Sequence, residues 1–191
     1  MQTLGLSDST PRTESRLKSL FWPTIKNQWD LDYVTNQGFW ICVLVGSITF
    51  VVGLFTPGGI FGLLDFTFYF LAGCGVRRRS RAAAVIALVL YSLSGVAIQM
   101  RTGQGFGAMR FIFMAILLAN ARGIWLSAGW PKPEPDPTPS SSMTFFDRVS
   151  DRLPAVLWPR MVWLFYILAV LELLGLCMML FPIAADTGVA G

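Results

Sequence analysis

The sequence contains no histidine and little charge, with 15 Lys and Arg and 11 Asp and Glu among 191 residues. Without histidine the protein lacks the most common metal ligand and the side chain that titrates near neutrality. Histidine-ligated haem, histidine-bearing zinc centres and histidine-based catalytic triads are therefore excluded. Charged residues make up 14% of the chain, against ~25% in ordinary soluble domains. A soluble protein of this length could not cover its surface with so few charges.

Cysteine and recognisable catalytic or cofactor motifs are also scarce. Cys42, Cys74 and Cys177 each lie within an apolar run and form no CxxC pair. This is typical of buried hydrophobic side chains and not of a disulfide framework or a zinc site. The glycine-rich stretch 103–107 lacks the spacing of a phosphate-binding loop and is interpreted as a flexible turn. The sequence therefore predicts no cofactor, no metal site and no enzyme activity.

Long apolar runs are what the sequence has in abundance. Hydrophobic residues make up 54% of the chain and the mean hydropathy is +0.57. A transmembrane helix needs about 20 mostly apolar residues. The stretch 38–76 is too long for one span, and the turn-forming residues 56–59 (TPGG) divide it. We therefore predict an all-α integral membrane protein with five transmembrane helices, over residues 38–55, 60–76, 82–99, 111–128 and 161–183.

The positions of these spans predict the organisation of the chain. Residues 38–128 form a four-helix transmembrane unit, to which the fifth helix, 161–183, is tethered. Residues 1–37 form a cytoplasmic tail. Within it, residues 12–31 predict an amphipathic helix in the headgroup region, bent or broken at Pro23. The alternative is that this helix docks on a partner protein.

A proline-rich cytoplasmic linker is predicted over residues 129–160. Proline occupies every second position from 131 to 139, which excludes a regular helix or strand and favours a polyproline II spacer. The amphipathic residues 143–158 predict a short interfacial helix, broken at Pro154. Residues 184–191, after the fifth span, form a short outer tail.

The positive charges predict the orientation. In the five-span arrangement, twelve of the fifteen Lys and Arg residues fall on one side, and only Arg101 and Arg110 fall on the other, because Arg122 lies within a span. Such residues favour the cytoplasmic side. We therefore expect a multi-pass protein of the cell inner membrane with its N-terminus in the cytoplasm and its C-terminus outside. Its partners would include the lipid bilayer, and the chain has no basic soluble face for nucleic acid.

Four polar residues lie where the spans should be apolar: Asp65, Asn120, Arg122 and Glu172. Their positions predict depths near the membrane midplane, where ionisable groups are costly and are candidates for function. Our leading interpretation is an ion pair between Arg122 and either Asp65 or Glu172. The alternatives are a proton or ion pathway, recognition of a polar group on a partner or lipid, and a snorkelling Arg122 with a protonated Glu172 facing lipid.

The fourth span carries a stripe of small residues at intervals of four: Ala115, Ala119, Gly123 and Ser127. Small side chains let a neighbouring helix approach closely. We interpret the stripe as a helix-packing face inside the bundle. An interface with a second copy or with a partner subunit is the alternative.

The stretch GCGVRRRSRAAAVIALVLY, an arginine-rich turn that leads into a span rich in small residues, resembles uncharacterised small bacterial multi-pass membrane proteins. The resemblance extends over about residues 40–128. It implies a four-helix unit of unassigned function without catalytic residues.

Together these features favour a non-enzymatic accessory, scaffold or assembly subunit that acts through helix–helix interaction with other membrane subunits or with itself. The alternative is a small transporter or channel that uses Asp65, Arg122 and Glu172.

An enzyme acting on lipid is a third class. It would need a catalytic group near the headgroup plane. We interpret the acids at that depth as surface charges: Asp30, Asp32, Asp147 and Asp151.

Overall fold

The computed structural model describes residues 21–26, 28–55, 59–103, 107–130 and 145–180. They form five α-helices and no strand, which confirms the predicted all-α fold for this part of the chain. The helices are α1 (Gln28–Leu54), α2 (Gly59–Arg77), α3 (Arg81–Thr102), α4 (Ala108–Leu126) and α5 (Phe145–Leu180).

Four of these helices are long and apolar enough to cross a membrane: α1, α3, α4 and, within α5, Val149–Leu180. This is compatible with a multi-pass membrane protein. Most of the predicted N-terminal amphipathic helix, the proline-rich stretch and the predicted outer tail lie outside the described residues. Residues 22–26 are not helical, in agreement with the break predicted at Pro23.

The first helix begins ten residues earlier than the predicted span, at Gln28 and not at residue 38. Leu31, Val34 and Gly38 are buried on one face of this extension, at the spacing of a helix that packs on a neighbour. The acidic Asp30 lies in its first turn, where it suits the positive end of the helix dipole. The helix α1 therefore runs across the predicted boundary between tail and membrane unit at residues 37–38.

The helices α1 and α2 form an antiparallel pair held close by glycine. Gly53 of α1 faces Gly62 of α2, and a β-carbon added to Gly62 would lie 3.2 Å from the Gly53 α-carbon. Further along the pair, a β-carbon on Gly73 would lie 3.1 Å from the Phe39 carbonyl oxygen. Larger side chains at these positions would push the two backbones apart.

The helix α5 is continuous from Phe145 to Leu180, so the break predicted at Pro154 is wrong. Pro154 and Pro159 both lie inside it. Proline removes one backbone hydrogen bond, but neighbouring helices can compensate for that loss. Pro154 is fully buried, which places its ring in the packing between helices. With 36 residues, α5 is about 54 Å long at 1.5 Å per residue.

The fifth helix, predicted to be tethered to a four-helix unit, packs into the same core as the other helices. Phe165 is fully buried and stacks on Phe68 of α2, with ring centroids 5.5 Å apart. Leu168 and Leu176 belong to the same cluster, together with residues of α1, α3 and α4 such as Leu117. The described helices therefore form one bundle.

Candidate functional site

Arg122 does not pair with Asp65 or Glu172. Its Nη1 donates a hydrogen bond to the Pro23 carbonyl oxygen at 3.3 Å, and its guanidinium carbon lies 4.6 Å from the centroid of the Trp22 ring. The physical reason is its position, four residues before the end of α4. Its long side chain reaches the polar segment beyond the helix end, as snorkelling predicts. The expected ion pair is therefore not formed within the described residues.

Asn120 lies on the packed side of α4, against the backbone of α1. It is 1% exposed, and its Nδ2 donates to the Ile116 carbonyl oxygen at 2.8 Å. Among the described residues its Oδ1 has no hydrogen-bond partner. A β-carbon on Gly38 would lie 2.6 Å from Asn120 Cγ and 2.8 Å from a Val76 methyl group. Asn120 is thus placed at a close helix contact and away from both membrane acids.

Asp65 and Glu172 are brought together, from α2 and α5. Their carboxyl groups lie within hydrogen-bonding reach of each other, and both side chains are half-buried. Tyr69 lies within electrostatic range of both acids, and its ring is 6.3 Å from that of Tyr91 in an edge-to-face arrangement. Two carboxyl groups can form a hydrogen bond only when one of them carries a proton. The acid pair (Asp65 and Glu172) therefore offers a site for a proton or for a cationic group.

The small-residue stripe of α4 faces the interior along most of its length. Ala119, Gly123 and Ser127 are buried, and Ala115 is half-buried. A β-carbon on Gly123 would lie 2.8 Å from the Ile25 Cδ1 atom and 3.3 Å from a Val34 methyl group. At this position the stripe therefore accommodates the start of α1 and the segment before it.

Sequence reasoning missed a buried arginine network that joins three helices. Arg77, at the end of α2, is 10% exposed. Its Nη1 lies 2.7 Å from Asp32 Oδ1 of α1, and its Nη2 forms an ion pair with Asp151 of α5. Nη1 also donates to the Asp32 carbonyl oxygen at 2.9 Å and to Thr35 Oγ1 at 3.1 Å. Asp32 and Asp151, interpreted from the sequence as surface charges, are partly exposed and also hold Arg77.

The sequence carried only a partial signal for this network. Arg77 directly follows an apolar run, but its partners lie 45 and 74 residues away along the chain, and no local pattern connects them. Burial alone would lower the pKa of Arg77. Its hydrogen bonds and charge interactions with Asp151 and Asp32 outweigh burial and raise the pKa, so the guanidinium stays charged.

The turn between α2 and α3 uses a single non-glycine residue with positive φ. Arg79 has φ of 59°, the Arg79 N–H donates to the Val76 carbonyl, and the Ser80 N–H donates to the Gly75 carbonyl. This is the Schellman pattern, whose left-handed position usually holds glycine. Ser80 then begins α3, because its Oγ accepts a hydrogen bond from the Ala83 N–H at 3.3 Å.

A cleft of about 830 Å³ opens at this turn. We call it the arginine cleft. Residues of all five helices and of the turn line it, and four arginines and two aspartates give these residues a formal net charge of +2. The arginines are Arg77, Arg78, Arg79 and Arg81, the aspartates are Asp32 and Asp151, and Ser80, Ser127, Trp130 and Trp158 complete the polar and aromatic lining.

Comparison with protein-family models, with curated proteins and with solved structures finds no match for this chain. In the part of the chain that the structure describes, no group of three or more cysteine or acidic side chains could hold a metal ion. The chemistry of the acid pair and of the arginine cleft is therefore argued from their own geometry.

Proposed function

We propose that this chain is a five-span protein of the cell inner membrane, with its N-terminus in the cytoplasm and its C-terminus outside. The arrangement of α2 supports the fifth crossing, because this 19-residue helix runs antiparallel along α1. The chain then crosses once with each helix. Arg77, Arg78, Arg79 and Arg81 lie at one end of the bundle, and Arg101 and Arg110 lie at the helix ends that face the other side, as the positive-inside rule requires.

We further propose that the protein is a non-enzymatic assembly subunit that binds another membrane protein through helix–helix contact. The observation that carries this is the acid pair, which is half-buried at the α2–α5 contact and has no basic partner among the described residues. A carboxylate inside a membrane is stabilised by a nearby cation. A Lys or Arg within a partner's transmembrane helix is the matching group.

The surface around the acid pair supports this role. Within the apolar window of α5, 17% is buried inside the chain, against 44% for α4. Leu64 of α2 and Leu171 of α5, next to the two acids, are exposed. A partner helix that lies along α2 and α5 would cover these side chains and bring its cationic group to the carboxyls.

Site-specific photocrosslinking in native membranes tests the assembly role. A photoreactive amino acid at Leu64 should give a discrete product with one membrane protein, and the same group at Val89, exposed on α3, should not. The product should disappear in the Asp65→Asn/Glu172→Gln double variant. It supports the proposal only if the partner has a Lys or Arg within a span and neutralising that residue also removes the product. A product that survives neutralisation of the acid pair would count against the proposal.

A small transporter or channel is the second candidate function. The separation of Arg122 from the acids favours it, because the acid pair then keeps a site for a transported proton or cation. Arg122 takes no part in this proposed transport site, because it is held by Trp22 and Pro23. Proteoliposomes containing the full chain should then show proton or cation flux that Glu172→Gln abolishes and Arg101→Gln does not. Absence of flux with the unmodified chain would exclude this function.

A further inference from the structure

The arginine cleft holds more positive charge than its own residues neutralise. Asp32 and Asp151 are both engaged with Arg77. The side chains of Arg78 and Arg79 make no hydrogen bond or ion pair with any other described residue, and Arg79 is half-buried. A partly desolvated cation without a counterion of its own is unfavourable, and Asp32, the carboxylate that acts on Arg79, is already paired with Arg77. The cleft therefore has the charge to bind an anion.

The backbone of the turn holds Arg79 in place at the expense of local strain. A left-handed φ is unfavourable for residues other than glycine. Glycine would therefore suit the position of Arg79 in the Schellman turn better than arginine does. Strained residues cluster at functional sites. Replacing Arg79 with glycine would keep the turn and remove the side chain with its guanidinium. The substitution therefore tests the role of the guanidinium separately from that of the turn.

The surroundings of the cleft indicate what kind of anion fits. Trp130 and Trp158 line it, and the Arg81 guanidinium lies 5.4 Å from the Trp125 ring at the same end of the bundle. Tryptophan is typical of the headgroup layer of a bilayer. Ile124 and Ala128 add an apolar wall, against which the glycerol and first acyl carbons of a lipid can lie.

We propose that the arginine cleft binds the phosphate of an anionic phospholipid headgroup. The guanidinium groups of Arg78 and Arg79 donate hydrogen bonds to the phosphate oxygens, as arginine does in other phosphate sites. Arg77 stays with its two aspartates and fixes the wall of the cleft. The volume of about 830 Å³ falls within the ~300–1,000 Å³ typical of small-molecule sites. The proposal rests on membrane insertion but not on the proposed partner or on the acid pair.

The experiment uses the full chain in mild detergent, with native mass spectrometry to count retained lipids. The unmodified protein should retain one phosphatidylglycerol in preference to phosphatidylcholine. The Arg78→Gln/Arg79→Gly variant should lose this preference by at least about tenfold, since two charge-assisted hydrogen-bonding groups are removed. Its melting temperature in zwitterionic detergent should be unchanged or higher, because glycine relieves the strained turn.

The matched control is Arg101→Gln/Arg110→Gln, which removes the same net charge at the opposite end of the bundle and should retain the lipid. Equal lipid retention by both double variants, or equal loss, would overturn the proposed site. Inorganic phosphate at millimolar concentration separates the two sources of phosphate. We expect it not to displace the lipid. Phosphate binding that depends on Arg78 and Arg79, without retention of phosphatidylglycerol, would overturn the assignment to a lipid.

Discussion

The two ends of the bundle are built differently. At the arginine end, defined by the start of α1, the end of α2 and the start of α3, buried side chains and an ionic network hold α1, α2 and α5 together. At the opposite end, residues 47–54 of α1 and 170–175 of α5 are exposed or half-buried. We infer that the arginine end supplies most of the stability. The opposite half leaves more of its apolar side chains exposed.

The polar groups in the two halves show the same contrast. Arg77 lies among carboxylate, carbonyl and hydroxyl oxygens that satisfy its donors. Asp65 and Glu172, in contrast, are two acids that face each other. A satisfied buried network specifies which helices are neighbours. An unsatisfied pair leaves binding capacity for something outside the chain.

Replacing Arg77 should have the largest effect on stability. In Arg77→Leu, Asp32 and Asp151 lose their common partner, and breaking a buried ion pair costs about 3 kcal/mol or more. We expect less than for a fully buried pair, about 2–3 kcal/mol, because the aspartates are 53% and 37% exposed and water can solvate them. Thermal unfolding in lipid nanodiscs, followed by tryptophan fluorescence, measures the loss. Arg101→Leu at the opposite end should change the melting temperature little, and an equal loss there would contradict the comparison.

A methyl group on Gly38 should have the next largest effect. Gly38→Ala places a carbon against Asn120 and Val76, and overpacking of this kind costs about 2 kcal/mol. Gly175→Ala, at a site with no atom within 4 Å of the added carbon, should instead stabilise α5 by about 0.5 kcal/mol. Asn120→Ala should partly rescue Gly38→Ala in the same unfolding assay. Equal destabilisation by the two glycine substitutions would remove the distinction between the halves.

Neutralising the acid pair should have the smallest effect on stability. Asp65→Asn with Glu172→Gln keeps the shape and the hydrogen-bonding capacity of both side chains, so we expect a change of about 0.5 kcal/mol or less. Unfolding of the isolated protein measures it. A loss of unfolding free energy as large as that of Arg77→Leu would mean that the acid pair mainly stabilises the fold. Both proposed functions would then be weakened.

The sequence predicted the helical class because long apolar runs strongly favour helices. It also predicted two separate helices within residues 38–76, where α1 ends at Leu54 and α2 begins at Gly59. It failed at Pro154, where the local tendency of proline to end a helix was overridden by burial against other helices. The predicted ion pair of Arg122 was also wrong, because the Arg122 side chain reaches past the end of α4 to the Pro23 carbonyl oxygen. The sequence marked Asp65 and Glu172 as polar residues within apolar runs. It did not predict their contact, because they are 107 residues apart along the chain and only the fold brings them together.

Ser80 takes part in two helix ends. Its N–H donates to the last turn of α2, and its hydroxyl caps the start of α3. Each of the three residues between the two helices, Arg78, Arg79 and Ser80, donates its N–H to a carbonyl oxygen near the end of α2. We therefore expect α2 and α3 to move as one unit, and an insertion at this turn to disrupt the end of α2 and the start of α3 together.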